Sequence, residues 1–182
     1  LNEGLYEGDV EVSVKVYDDA SALLGEQAKT VKTSYRNNVD AFDMTAYAGK
    51  PHFIALEVKC KDGKVIADNF YCIAAERNVY DWDNFDWYIT PIKKHSDLRF
   101  AFAQPQAEVA METSYADGVY TVTLKNDSDV VSYMNILKAK DAEGNMIVPA
   151  YWSDNFFPLL PGQTKTVTCK ADVAGAKIEL DK

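Results

Sequence analysis

Valine falls at every second position of Val10-Glu11-Val12-Ser13-Val14-Lys15-Val16, with polar residues between. A period of two puts all four valines on one side of an extended chain, so this stretch predicts a strand with one buried face. Weaker strands are expected over about 27–34 and about 39–45. In "HFIALEVKC" the residues Ile54, Leu56, Val58 and Cys60 alternate again. Asp62-Gly63 follows, and glycine tolerates the positive φ of a two-residue type I′ hairpin. That turn would set Leu56 opposite Asn69 and Cys60 opposite Val65, turning Asn69 toward the core. One more strand is expected over about 98–103, and Gln104-Pro105-Gln106 then ends it, because proline removes a ladder donor.

The second half repeats the style. "AEVAMETSY", "VYTVTLKND", "SYMNILKAKD", "MIVPAYW", "TKTVTCKA" and "KIEL" read as strands. Ala116-Asp117-Gly118, Asn126-Asp127-Ser128, Glu143-Gly144-Asn145 and Pro161-Gly162 punctuate them. No segment sustains a 3.6-residue period. Short strands at roughly ten-residue spacing, joined by Gly, Pro and Asp turns, point to sandwiches. The expected fold is all-β: two tandem immunoglobulin-like β-sandwich domains, over 1–104 and 105–182.

Composition narrows the function. Of 182 residues, 47% are hydrophobic and 12% aromatic, enough for a real core. The apolar runs are only a few residues long, so no membrane span is expected. Residue 1 is Leu and no signal-like segment precedes the first strand, so the sequence reads as a processed protein or a piece of a longer one. The net charge is −9 and the densest basic cluster is Lys93-Lys94-His95, which excludes a phosphate-binding, nucleic-acid partner. Three cysteines and two histidines, with no C-x-x-C, argue against a disulfide framework and a zinc site. No cofactor is implied. Cys60, Cys72 and Cys169 read as small core residues.

Candidate chemistry is sparse. Asn2-Glu3 matches the dipeptide that carries an acid/base carboxylate in many retaining glycosidases. A retaining mechanism needs a second carboxylate about 5 Å away, and no barrel strand is present to hold one. "DWDNFD" fails the calcium-loop spacing, since Phe85 and Asp86 fall where an oxygen ligand and a glycine belong. His95 and His52 read as solvated turn residues. There is no nucleophile elbow, dinucleotide fingerprint or P-loop. Tyr80, Trp82, Phe85, Trp87 and Tyr88 crowd one stretch. Such rings either pack a core or stack on sugars, with Trp82 and Trp87 as the sugar contacts.

Asp-Asn-Phe occurs three times, at 68–70, 83–85 and 154–156. Asn and Asp cap backbone groups where strands end. Asn69 and Asn155 are therefore expected to be structural and bonded to backbone.

"NMIVPAYWSDNFFPLLPGQTKTVT" resembles the last β-sandwich domain of glycoside hydrolase family 2, in the branch of β-mannosidases and exo-β-glucosaminidases. "KDGKVIADNFYCIAAE" resembles the immunoglobulin-like domain before it, and "LNEGLYEGDVEVSVKVYD" the strands that follow that family's barrel. The chain departs from this pattern at Cys72, where Trp is expected after Asn-Phe-Tyr. The resemblance implies a non-catalytic C-terminal pair, not an enzyme by itself. Its partners would be the catalytic barrel and N-terminal domains of the same polypeptide, with an oligosaccharide nearby. It also implies a loop at the active-site mouth, assigned to Tyr151, Trp152, Asp154 and Asn155, and a periplasmic or secreted location. The competing expectations are a stand-alone carbohydrate-binding module built on residues 80–88 and a generic adhesion or scaffold sandwich.

Overall fold

The computed structural model describes residues 2–181 except 5 and 172. The chain is all-β and divides into two compact units, Leu1–Ala103 and Gln104–Lys182.

In the first unit, β1 (Gly8–Asp18), β2 (Leu23–Thr33), β3 (His52–Cys60) and β4 (Val65–Ile73) form one antiparallel sheet in the order β2-β1-β3-β4. A small ribbon, β5 (Val79–Tyr80) and β6 (Ile92–Lys94), stands apart. The valine alternation of β1 holds, with Val10, Val14 and Val16 buried. The sheet is apolar on both faces. Tyr17, Phe53 and Cys72 are register partners on the side opposite those valines. Phe53 is 0% exposed and packs against Phe70 at 5.5 Å and Phe100 at 5.1 Å between ring centroids.

Several expectations give way here. The β3–β4 loop is not a two-residue type I′ turn. The Gly63 N–H donates to the Cys60 carbonyl at 2.9 Å and the Cys60 N–H to the Lys64 carbonyl at 3.0 Å, with Gly63 at φ 81°. This is a three-residue loop with a glycine bulge, and the register slips by one residue between Val58 and Lys59. Beyond the slip, Leu56 does face Asn69. Yet Asn69 is exposed, because the sheet is open on that side. Its amide donates to the Tyr71 hydroxyl at 2.9 Å, and its oxygen accepts the Phe70 N–H at 2.8 Å. Cys60 sits at the hairpin end, where its thiol donates to the Asp62 carboxylate at 3.0 Å. His52 is buried, not solvated, with Nδ1 2.8 Å from the Lys50 carbonyl. Residues 39–45 form no strand; a single 3₁₀ turn, Thr45–Tyr47, follows. Residues Arg99–Phe102 are also a 3₁₀ turn, which lowers Phe100 onto Phe53.

In the second unit, β7 (Val109–Ala116), β8 (Val119–Asn126), β9 (Ser132–Lys140), β10 (Tyr151–Trp152), β11 (Phe157–Leu159), β12 (Thr164–Lys170) and β13 (Lys177–Asp181) make two sheets. Their orders are β10-β12-β8-β7 and β11-β9-β13, an immunoglobulin-like sandwich. Only Tyr151 and Trp152 of "MIVPAYW" are strand. β8 alternates strictly, so Tyr120, Val122 and Leu124 meet Leu137, Leu159 and Val167 in the core. The buried Tyr120 hydroxyl donates to the Val173 carbonyl at 2.6 Å and accepts the Ala176 N–H at 2.7 Å, anchoring the approach to β13.

Two buried asparagines hold this unit together. Asn126 Nδ2 donates to the Val130 carbonyl at 2.8 Å and the Leu159 carbonyl at 3.0 Å. Its oxygen accepts the Ser128 hydroxyl at 2.6 Å. Asn135 Nδ2 donates to the carbonyls of Ser132 and Phe157, both at 3.0 Å, where β9 bulges through Met134 at φ 58°.

On the surface of β13, Glu179 pairs with Lys140 at 2.5 Å and Lys177 at 2.8 Å. The hydrogen bond from Lys140, then that from Lys177, lowers its carboxyl from the usual 4.5 to about 2. A depressed carboxyl stabilises the fold above its unfolded pKa, and that contribution disappears as pH falls from about 4.5 toward 2. Glu179→Gln should therefore flatten the acid limb of a Tm-versus-pH curve in that window while leaving its shape above pH 6 unchanged. A mutant curve parallel to wild type throughout would contradict this.

Candidate functional site

Two surfaces gather the candidate side chains, one in each unit. The first is residues 80–92 of the first unit, a fastened loop. The Asp81 N–H donates to the Pro91 carbonyl at 2.7 Å and closes its base. The Asp81 carboxylate accepts the Asn84 amide at 2.7 Å and pairs with Lys93 at 2.9 Å. Those two bonds, that from Asn84 first, lower its pKa. At the tip, Asp86 and Ile89 exchange both backbone hydrogen bonds at 3.0 Å, leaving Trp87 and Tyr88 as a two-residue hairpin turn.

The aromatic residues of this loop do not pack into the core. Trp87 is 82% exposed, Trp82 68% and Tyr88 67%, and Phe85 is exposed with them. Trp87 and Tyr88 meet edge to face at 4.9 Å, and Trp82 leans on Phe85 at 6.4 Å. Such rings can stack on the apolar face of a sugar or another flat group. Asp83 and Asp86 flank them, both exposed. The three Asp-Asn-Phe copies thus differ: the first lies on an open strand, the second in this loop, the third at a sandwich corner.

The third copy opens the second surface. Trp152 pairs with Cys169 across β10–β12, and it is half-buried against the core. Asp154 is held by Lys165 at 2.6 Å. Asn155 grips Leu137 as a strand partner would. Its oxygen accepts the Leu137 N–H at 2.8 Å and its amide donates to the Leu137 carbonyl at 3.0 Å. The same oxygen accepts the Phe156 N–H at 3.0 Å, with Phe156 at φ 60°. Left-handed backbone is unfavourable for a bulky residue. Asn155 and Asp154 therefore build the loop, and Tyr151 and Phe156 are what it presents, both exposed. Phe156 escaped the sequence reading, because neither its positive φ nor its outward aim has a local signature.

Asn2 bridges Asn37 at the sheet margin and Glu3 is exposed, so the pair sits at a strand entrance. Among the described residues no three His, Cys, Asp or Glu side chains converge as metal ligands. Among the described residues no helix is long and apolar enough to cross a membrane. Burial raises the Cys72 thiol to about 11, well away from the range of a reactive cysteine.

Residues 87–181 match the family model described as the exo-β-D-glucosaminidase Ig-fold domain. An exo-β-D-glucosaminidase of Hypocrea jecorina is 27% identical over 193 residues, covering 99% of this chain and 22% of that protein. One from Amycolatopsis orientalis is 34% identical over 125 residues, covering 63% of this chain and 12% of that protein. Among solved structures, the crystal structure of exo-chitosanase CsxA from Amycolatopsis orientalis superposes with a TM-score of 0.77 at 24% identity, over 97% of this chain and 23% of that one. A β-D-mannosidase from Dictyoglomus thermophilum gives 0.57 at 16%, over 98% of this chain and 19% of that one. These two likenesses are of fold. The chain spans about a fifth of the length of such relatives. With the family model matching more than half of its residues, the chain belongs to the exo-β-D-glucosaminidase immunoglobulin-fold domain family.

Proposed function

We propose that this chain is the accessory, non-catalytic sandwich pair of an exo-acting β-glucosaminidase, bracing the catalytic barrel of a longer polypeptide. One observation carries the reading. The first unit leaves a long apolar strand uncovered in a chain that spans about a fifth of its relatives. β4 is an edge strand, and Val65, Ile66, Tyr71 and Ile73 are all exposed along it. Exposed apolar surface of this kind marks an interaction site. The barrel and N-terminal domains of the same polypeptide are the natural cover. A periplasmic or secreted location goes with this proposal, since a polymeric amino-sugar substrate does not cross a membrane.

The loop of Tyr151, Trp152, Asp154 and Asn155 would stand at the active-site mouth. Asp154 and Asn155 hold it rigid, and Tyr151 and Trp152 supply rings. Trp152→Ala in the full-length enzyme should raise KM about three- to tenfold with kcat little changed, the mark of lost ground-state binding. Tyr151→Ala should do the same without touching the core. Unchanged kinetics in both would sink the assignment.

A second reading is favoured by the loop 80–92. Trp87, Trp82 and Tyr88 are each at least two-thirds open to solvent on one loop, which suits a carbohydrate-binding surface.

A further inference from the structure

We propose that the aromatic hairpin of residues 81–89 is a landing site for a cationic amino-sugar oligomer, with Trp87 and Trp82 as stacking faces and Asp83 and Asp86 as the groups that select its charge. The inference rests on the second reading above and gives that surface a ligand class.

Two-residue loops recruit Gly, Asn or Asp for positive φ, and neither position of this turn has one, so its backbone accepts most residues. Here the two positions hold Trp87 and Tyr88, both largely in water. Neither residue serves the turn, and neither serves the core. Their rings are displayed on a loop that Asp81 has already fastened through Pro91, Asn84 and Lys93, so little ordering remains on binding.

A contrast lies within the same unit. The β4 surface is mainly aliphatic and lies along a strand, the chemistry of protein packing. The hairpin surface is aromatic and carries three carboxylates, Asp81, Asp83 and Asp86, against one ammonium, Lys93. Asp81 and Asp83 share that lysine at 2.9 and 3.3 Å, so the loop stays net negative. Ring faces attract cations, and exposed carboxylates attract them further. A pyranose with an apolar face and a protonated amine satisfies both features. A neutral sugar satisfies only the first.

The test is calorimetry and tryptophan fluorescence on the full 182-residue chain. The probes are a β-1,4-glucosamine hexamer, its N-acetylated form and a β-1,4-glucose hexamer. Trp87→Ala should weaken the glucosamine hexamer about tenfold. Asp83→Asn with Asp86→Asn should weaken it about three- to tenfold and leave the two neutral hexamers unchanged. Asn at 86 keeps an acceptor for the Trp87 N–H, bonded at 2.8 Å in the wild type, so the hairpin survives. Salt should weaken the charged probe selectively. Equal binding of all three hexamers, indifferent to the Asp→Asn pair, would overturn the charge selectivity and leave a sugar-binding surface standing. No binding of any hexamer by the folded chain would overturn both.

Discussion

Asn126→Ala should cost the second unit about 4 kcal/mol. Asn126 is 0% exposed, and its amide serves the carbonyls of Val130 and Leu159 while its oxygen serves Ser128. Truncation leaves those two carbonyls without their donor, at roughly 1–3 kcal/mol each, and opens a cavity beside Leu124 and Leu159. Leu159 lies 33 residues further along the chain, so the bond ties β8 to β11 across the sandwich. The N–H and carbonyl of Asn126 meet the Gln163 carbonyl and the Gly162 N–H, both at 3.0 Å, so one residue pins the Pro161-Gly162 turn as well. In a unit of this size each kcal/mol shifts Tm by about 4–8 °C, so a fall of about 15–30 °C is expected. Trp152 emission follows that unit. A fall under about 5 °C would mean that water replaces the amide without loss.

Phe53→Ala should cost the first unit about 3–5 kcal/mol. Phe53 is the largest fully buried side chain among the described residues, clasped between Phe70 and Phe100. Removing it undercuts the 3₁₀ turn Arg99–Phe102, which reaches the sheet through the Phe100 ring and carries the buried Ala101. The emission of Trp82 and Trp87 should lose cooperativity while Trp152 keeps its transition. A variant that unfolds with wild-type cooperativity would show that the sheet draws its stability from the valine face instead.

What local pattern controls was legible in the sequence. The alternation of β1 and β8 and the turns at Gly118, Gly144 and Gly162 follow from period-two burial and glycine's backbone freedom, whereas Leu56 meets Asn69 only because the slip between Val58 and Lys59 offsets the longer loop. Leu98 to Ala103 was misleading for a physical reason. Six residues of alternation suit a strand, but among the described residues no strand pairs with them, and Asp97 starts a turn by accepting the Arg99 N–H at 3.0 Å. That Asx turn was the available signal. Asn126 marked a strand end and has Ser128 and Val130 close by, but its bond to Leu159, like that of Asn135 to Phe157, joins residues far apart in sequence and left no local signal. The openness of β4 was equally hidden: Val65, Ile66, Tyr71 and Ile73 read as strand residues whether or not something covers them. For the site, the aromatic stretch and the backbone bonds of Asn155 were legible, while the display of Phe156 beside Tyr151 depends on a positive φ that no local pattern signals.

The central claim, that these sandwiches brace a larger glycosidase, is tested most directly by amide hydrogen exchange on β4. Exchange of Val65–Ile73 would be compared between this chain alone and the full-length polypeptide. The account predicts fast exchange of the outward-facing β4 amides in the chain alone and at least tenfold slower exchange in the full-length protein, where the remaining domains cover that edge. Identical exchange in both would contradict it, and β4 would then be an ordinary exposed edge with no partner to brace.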